Sequence, residues 1–172
     1  MEVDMENKVA RKQYVSKECF VCGTENIAGL KAKFFELENG ELVGIFTAQD
    51  MHQSYPNRLH GGVSAALLDE TIGRAMMLEE PDTWGVTVEL NLKYKKPVPL
   101  NEELKVIARP LRNSRKIFEG EGEIVLSNGE VAVTAYAKYV KMPVSKISED
   151  IDNIDDFMYY EEDKGPEYIE LN

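Results

Sequence analysis

The chain has 172 residues, 43% of them hydrophobic and 30% charged, enough to bury a real core within one domain. Its net charge of −11 is unevenly placed: residues 149–172 hold ten acids against one base, and the remainder holds 21 acids against 19 bases. The body is therefore nearly neutral and lacks the basic stripe that nucleic-acid binding needs, so no nucleic-acid partner is expected.

The sequence contains no run of about 18 apolar residues, the length that crosses a membrane as a helix, so no membrane partner is expected either. Residues 1–12 alternate charges and lack the apolar stretch of a secretory signal. Cys19 and Cys22 are too few for a disulfide framework, and the reading is a reduced, cytoplasmic protein.

In chain order, residues 1–18 read as a polar lead-in, 19–143 as the folded domain and 144–172 as an acidic tail. Strands are predicted at 32–37 and 41–47, joined by Glu38-Asn39-Gly40, because Asn-Gly tolerates the positive φ of a hairpin turn. A loop follows over 48–59.

Residues 61–77 lack a period of two and are rich in Ala, Leu and Met, which favour helix. Their apolar residues cover most of the circumference, so this helix is predicted to be the buried centre of the fold. Val86, Val88, Leu90, Leu92 and Tyr94 alternate with polar residues as a strand. Further strands are predicted at 103–109, 116–126 and 131–140, the last two joined by Ser127-Asn128-Gly129. The order β-β-α-β-β-β-β with short links gives an α+β domain, one helix wrapped by a curved antiparallel sheet. The tail's charge argues for disorder, whereas Phe157, Tyr159, Tyr160, Tyr168 and Ile169 argue for docking on the body.

Chemistry concentrates in residues 52–62 and the helix they enter. Two glycines at a helix start, Gly61 and Gly62, leave main-chain N–H groups sterically open and able to polarise a carbonyl. Asp69 lies in the apolar helix, where an unpaired carboxylate is expensive. It is either an acid on a narrow polar stripe shared with Glu70 or Arg74, or a catalytic base or nucleophile. Gly62 and Asp69 are seven residues apart, about 10 Å along one helix. A carbonyl held at the glycines therefore needs Asp69 from a second chain, which implies a two-fold dimer with its helices side by side.

The run HGGVSAALLDETIG resembles the helix motif of hotdog-fold thioesterases of the phenylacetate-degradation (PaaI) type. CFVCGTENIAGLKAKFF and GVTVELNLKYKKPVP resemble the lead-in and the following strand, so the resemblance covers roughly residues 19–142. It implies a dimeric hotdog fold that hydrolyses an acyl-CoA to the free acid and CoA, with pairing of dimers left open. No separate cofactor is implied, since CoA belongs to the substrate.

The family pattern makes Asp69 the general base or nucleophile and gives the carbonyl to the N–H of Gly61 or Gly62. It has His60 orient the carbonyl or sulfur, and Thr87 position water. Many such proteins carry Asn six residues before the His. Ser54 stands there in this chain, and Gln53 and Asn57 are the nearby amides that can replace it. Arg115 and Lys116, in the basic cluster beginning at Arg112, stand where related proteins meet the CoA phosphates.

Cys19-Phe20-Val21-Cys22-Gly23 has the form of half a zinc knuckle. A tetrahedral site needs four ligands, and with no second cysteine pair no metal is assigned. Trp84 and His52 read as packing and surface residues. Two other functions share this fold: an acyl-CoA or acyl-carrier-protein dehydratase, and a non-catalytic acyl-CoA sensor, which would not need Asp69.

Overall fold

The computed structural model describes residues 6–149, 151, 155 and 157–171. Two strands, β1 (Glu6–Lys12) and β2 (Val15–Ser16), lie within the stretch expected to be a polar lead-in. The charges of β1 do not oppose a strand because neighbours pair them: Lys8 meets Glu38 at 3.0 Å and Arg11 meets Glu36 at 2.8 Å. The expected hairpin forms as β3 (Lys33–Leu37) and β4 (Leu42–Thr47), with Gly40 at φ +88° in its turn.

The central helix α1 (Gly61–Ala75) starts where expected and tightens into a 3-10 turn over Met76–Leu78. The remaining predicted strands appear as β5 (Gly85–Tyr94), β6 (Glu103–Asn113), β7 (Ile117–Val125) and β8 (Val131–Lys141). A short helix α2 (Val144–Ile147) and strands β9 (Met158–Tyr159) and β10 (Tyr168–Glu170) follow.

Among the described residues, eight strands form one antiparallel sheet in the order β10-β1-β3-β4-β6-β7-β8-β5, and β2 pairs with β9. Adjacent strand residues face opposite sides. Phe34, Leu42, Val106 and Ala108 join Leu67, Leu68 and Ile72 of α1 in the main core, while Phe35, Val43 and Ile107 form a second cluster on the other face. Residues 157–171 dock there: Ile169 is buried in that second cluster, and Glu161 pairs with Lys12 and Lys33. The tail's apolar residues and the body's lysines offset its acidity.

The helix lies close to the sheet because β7 presents glycine beneath it. A Cβ on Gly120 would lie 2.8 Å from Ile72 Cγ2, and one on Gly122 would lie 3.0 Å from Ile72 Cγ1. Gly120→Ala is expected to lift α1 and cost about 1–3 kcal/mol as overpacking. In urea the unfolding midpoint falls while the slope is unchanged.

Candidate active site

Helix α1 begins at His60, whose Nδ1 accepts the Gly62 N–H at 2.9 Å. The imidazole thus acts as the N-cap, and in the neutral ring its Nε2 carries the proton and points away as a donor. This bond also engages the Gly62 N–H that was expected to contact substrate. Tyr94 Oη donates to the Gly61 carbonyl at 2.6 Å and ties the helix start to β5.

Two turns along the helix, Asp69 faces the β5–β8 pair. Thr87 Oγ1 donates to Asp69 Oδ1 at 2.7 Å, and Tyr139 Oη reaches the same oxygen at 3.2 Å and the Asp69 carbonyl at 2.5 Å. Both donors act on Oδ1, and among the described residues no hydrogen bond is made to Oδ2. Burial, and then the Asp69 charge, push the Tyr139 phenol far above its ordinary range, so it remains a donor. Gly73 admits the phenol ring, since a Cβ there would lie 3.1 Å from Tyr139 Cε1.

Thr87 reaches the helix because β5 is irregular. Thr87 pairs with Tyr139, whereas Leu90 and Leu92 pair with Ala137 and Ala135, with a register shift between Thr87 and Glu89. An unbroken period of two would place Thr87 opposite Leu90 and Leu92; the bulge turns it to their side. Asp69, Gly73, Thr87 and Tyr139, together with Glu70 and Arg74, line one cavity of about 260 Å³.

Trp84, one of its lining residues, packs at a tilt between the rings of Tyr14 (5.7 Å) and Phe157 of the tail (6.3 Å). A second hollow of about 440 Å³ shares Thr83 and Trp84 and includes Arg115. Two further hollows, of about 530 and 380 Å³, are lined by tail residues and by Lys12, which is already bound to Glu161 and the Asp163 carbonyl.

Residues 57–133 match the family model described as the thioesterase superfamily. Over those residues the chain is similar to the thioesterase superfamily, and its helix packed on an antiparallel sheet is the α+β hotdog-type fold. Acyl-coenzyme A thioesterase 13 of Mus musculus is 29% identical over 45% of this chain and 55% of its own. Acyl-coenzyme A thioesterase THEM4 of the same species is 30% identical over 66% of this chain and 50% of its own. The chain thus spans about half the length of these relatives. A crystal structure of a thioesterase superfamily protein superposes with a TM-score of 0.67 at 29% identity, covering 72% of this chain and 60% of that one. A Haemophilus influenzae thioesterase gives 0.63 at 18% identity over 72% and 86%, a likeness of fold.

Within this hotdog domain, the expected site residues divide into groups. Asp69 and Thr87 are in contact, while His60, Gly61 and Gly62 stand at the helix start. Asn57 is exposed at φ +61° in the preceding loop. Arg115 and Lys116 are exposed between β6 and β7. His52 is buried rather than on the surface, since its Nδ1 accepts the Gln49 N–H and its Nε2 meets the Ala28 carbonyl at 2.6 Å.

Glu70 and Arg74 line the same cavity as Asp69, but their hydrogen bonds run to other partners. Arg74 is 4% exposed and donates to Glu70 Oε1, the Tyr14 carbonyl and Cys22 Sγ. A hydrogen bond between the thiols lowers the Cys22 pKa and raises that of Cys19; burial adds to the rise at Cys19 and opposes the fall at Cys22.

Sequence reasoning missed Tyr139 and Tyr94. The series Ala135, Ala137, Tyr139 on one strand face carried a signal, two small residues under the helix and then a large polar one. Because the folded-state pKa of Tyr139 lies above the unfolded value of about 10, its stabilisation is complete below that pH and is lost as pH rises beyond it. Stability is expected to fall above about pH 10, and less steeply in Tyr139→Phe, in urea titrations across alkaline pH.

Proposed function

We propose that this protein is an acyl-CoA thioesterase releasing free acid and CoA, with Asp69 as general base or nucleophile. The observation that carries this reading is the one-sided holding of the Asp69 carboxylate, with Thr87 and Tyr139 on Oδ1 and no hydrogen bond to Oδ2 among the described residues. A carboxylate fixed in this way attacks the thioester carbonyl carbon, or takes a proton from water as that water attacks it. The similarity to acyl-coenzyme A thioesterases supports thioester hydrolysis as the reaction class.

The thioester oxygen is placed at the start of α1. With the Gly62 N–H engaged by His60, the polarising donor is the Gly61 N–H, aided by the positive end of the helix dipole. His60 Nε2–H orients the carbonyl or sulfur. Asn57 supplies the amide that Ser54 lacks. Arg115 and Lys116 face the CoA phosphates, Arg115 from the hollow that adjoins the Asp69 cavity.

The glycine donor and the acid of one helix are too far apart to share a carbonyl, so the site takes Asp69 from one chain and the helix start from its partner. Strand β5 suits this pairing. Among the described residues it bonds β8 on one side only; it runs ten residues and exposes Val86 and Val88. An unpaired edge of that length is a template for a second copy. The dehydratase and sensor readings gain no support, since a pure binder has no need of an acid held on one oxygen alone.

Thiol detection of CoA release across short, long and aromatic acyl-CoAs tests the reaction. Asp69→Asn is expected to lose at least about 100-fold in kcat. Thr87→Val should lose roughly tenfold, the worth of one hydrogen bond to a charged group. Absence of turnover with every acyl-CoA, despite binding, overturns the catalytic reading.

The two-chain arrangement has its own check. Val88→Lys on the β5 edge is expected to shift light-scattering mass from dimer to monomer and to abolish turnover in parallel. A monomeric variant that retains activity refutes the shared site.

A further inference from the structure

The loop holding Cys19 and Cys22 is folded tightly against the flank of α1 that carries Glu70. The Gly23 N–H donates to the Cys19 carbonyl at 2.7 Å, and a Cβ on Gly23 would fall 2.2 Å from that oxygen, so the turn demands glycine. The Val21 N–H points at Cys19 Sγ at 3.4 Å. Cys19 Sγ is 3.0 Å from Glu70 Oε2, and the donor atoms of Cys19, Cys22 and Glu70 all lie within 4.8 Å of one another. Residues distant in sequence thus converge where the sequence offered only half a knuckle.

We propose that Cys19, Cys22 and Glu70 form a binding site for Zn2+, with water as the fourth ligand. Tetrahedral bonds of about 2.3 Å to sulfur and 2.0–2.2 Å to oxygen place donor atoms roughly 3.4–3.8 Å apart, within reach of the present spacing by small side-chain rotations. Two sulfurs and one carboxylate select zinc over magnesium or calcium, which take oxygen ligands. Binding releases two protons to solvent, one from each thiol, and the cation takes the place of the one that Cys19 directs at Glu70 Oε2.

Arg74 completes the arrangement from the interior. It donates to Cys22 Sγ at 3.0 Å and to Glu70 Oε1 at 2.9 Å, which orients both ligands and leaves Oε2 for the metal. Two thiolates, one carboxylate and one guanidinium carry a net double negative charge, and a divalent cation neutralises it. Cys22 is buried and Cys19 half-exposed, so the cation enters at Cys19. The bound metal fastens the loop over residues 17–31 to α1. Asp69 makes its contacts with β5 and β8 instead, so the site stands whether or not the thioesterase reading does.

The test uses the full chain, reduced and freed of metal by chelation, with both thiols confirmed free by a thiol reagent. Titration with Co2+ is expected to saturate at one ion per chain, with sulfur-to-cobalt charge-transfer absorption and the intense visible bands of tetrahedral geometry, both removed by added Zn2+. Cys19→Ser and Cys22→Ser should each lose the charge-transfer intensity of one thiolate. Each should weaken Zn2+ binding by more than the roughly 10–100-fold typical of losing an outer hydrogen-bond partner. Glu70→Gln should keep the sulfur bands and bind more weakly.

Cys19, the more exposed ligand, decides the matter if the other variants fail to fold by circular dichroism. Reduced, folded wild type without cobalt–thiolate absorption overturns the proposal. So does Zn2+ affinity unchanged in Cys19→Ser.

Discussion

The depth at which α1 rests on the sheet governs the rest of the molecule. Ile72 sits over Gly120 and Gly122, and Ala135 and Ala137 on the next strand keep the same face shallow. At that depth the short side chain of Asp69 can meet hydroxyls rising from β5 and β8. Leu67, Leu68 and Ile72 are fully buried by the same approach, and each contributes about 1.5–3 kcal/mol relative to exposure. The apolar contact that stabilises the fold thus also sets the reach of the polar contacts.

The helix carries two polar clusters of different character. In one, buried Arg74 has partners in Glu70, Tyr14 and Cys22, and its guanidinium lies 4.5 Å from the Tyr14 ring and 4.4 Å from the Phe34 ring. A buried charge is tolerable only when its partners are this complete. In the other, Asp69, lining the same cavity, takes its side-chain hydrogen bonds on Oδ1, with none to Oδ2 among the described residues. Incomplete pairing leaves the second oxygen available to react with a bound molecule. The contrast between neighbours in sequence, Asp69 and Glu70, argues for chemistry on one side and attachment on the other.

Much of this was legible in the sequence because the signals were local. Asn-Gly turns, strand alternation and an unbroken apolar helix each depend on a few adjacent residues, and the elements they predict occur within a few residues of their expected ends. Strand β1 was hidden because its charges are paired across the sheet to Glu36 and Glu38, which a local reading cannot see. The tail presented opposed signals, acidity and aromatics, and the second apolar cluster on the sheet decides for docking.

Thr87 is the most instructive residue. Strict alternation in β5 would aim it away from Leu90 and Leu92, while the family resemblance required it at the site. Only a bulge reconciles the two, and nothing in the alternation announces one. Tyr139 was hidden for a related reason, since its role depends on Gly73 across a helix–sheet contact.

The bulge also bears on the proposed dimer. Strand β5 is both the free edge of the sheet and the carrier of Thr87, so whatever orders the edge also orders a hydroxyl on Asp69. An isolated edge strand, bonded on one side, samples local opening more readily than an interior one. Pairing with a second copy would remove that freedom and hold Thr87 against the acid. The same pairing would place the partner's helix start across from Asp69. Preorganisation of the acid and completion of the carbonyl site would then be one event, which explains why a stable protein would leave ten residues of strand exposed at its edge.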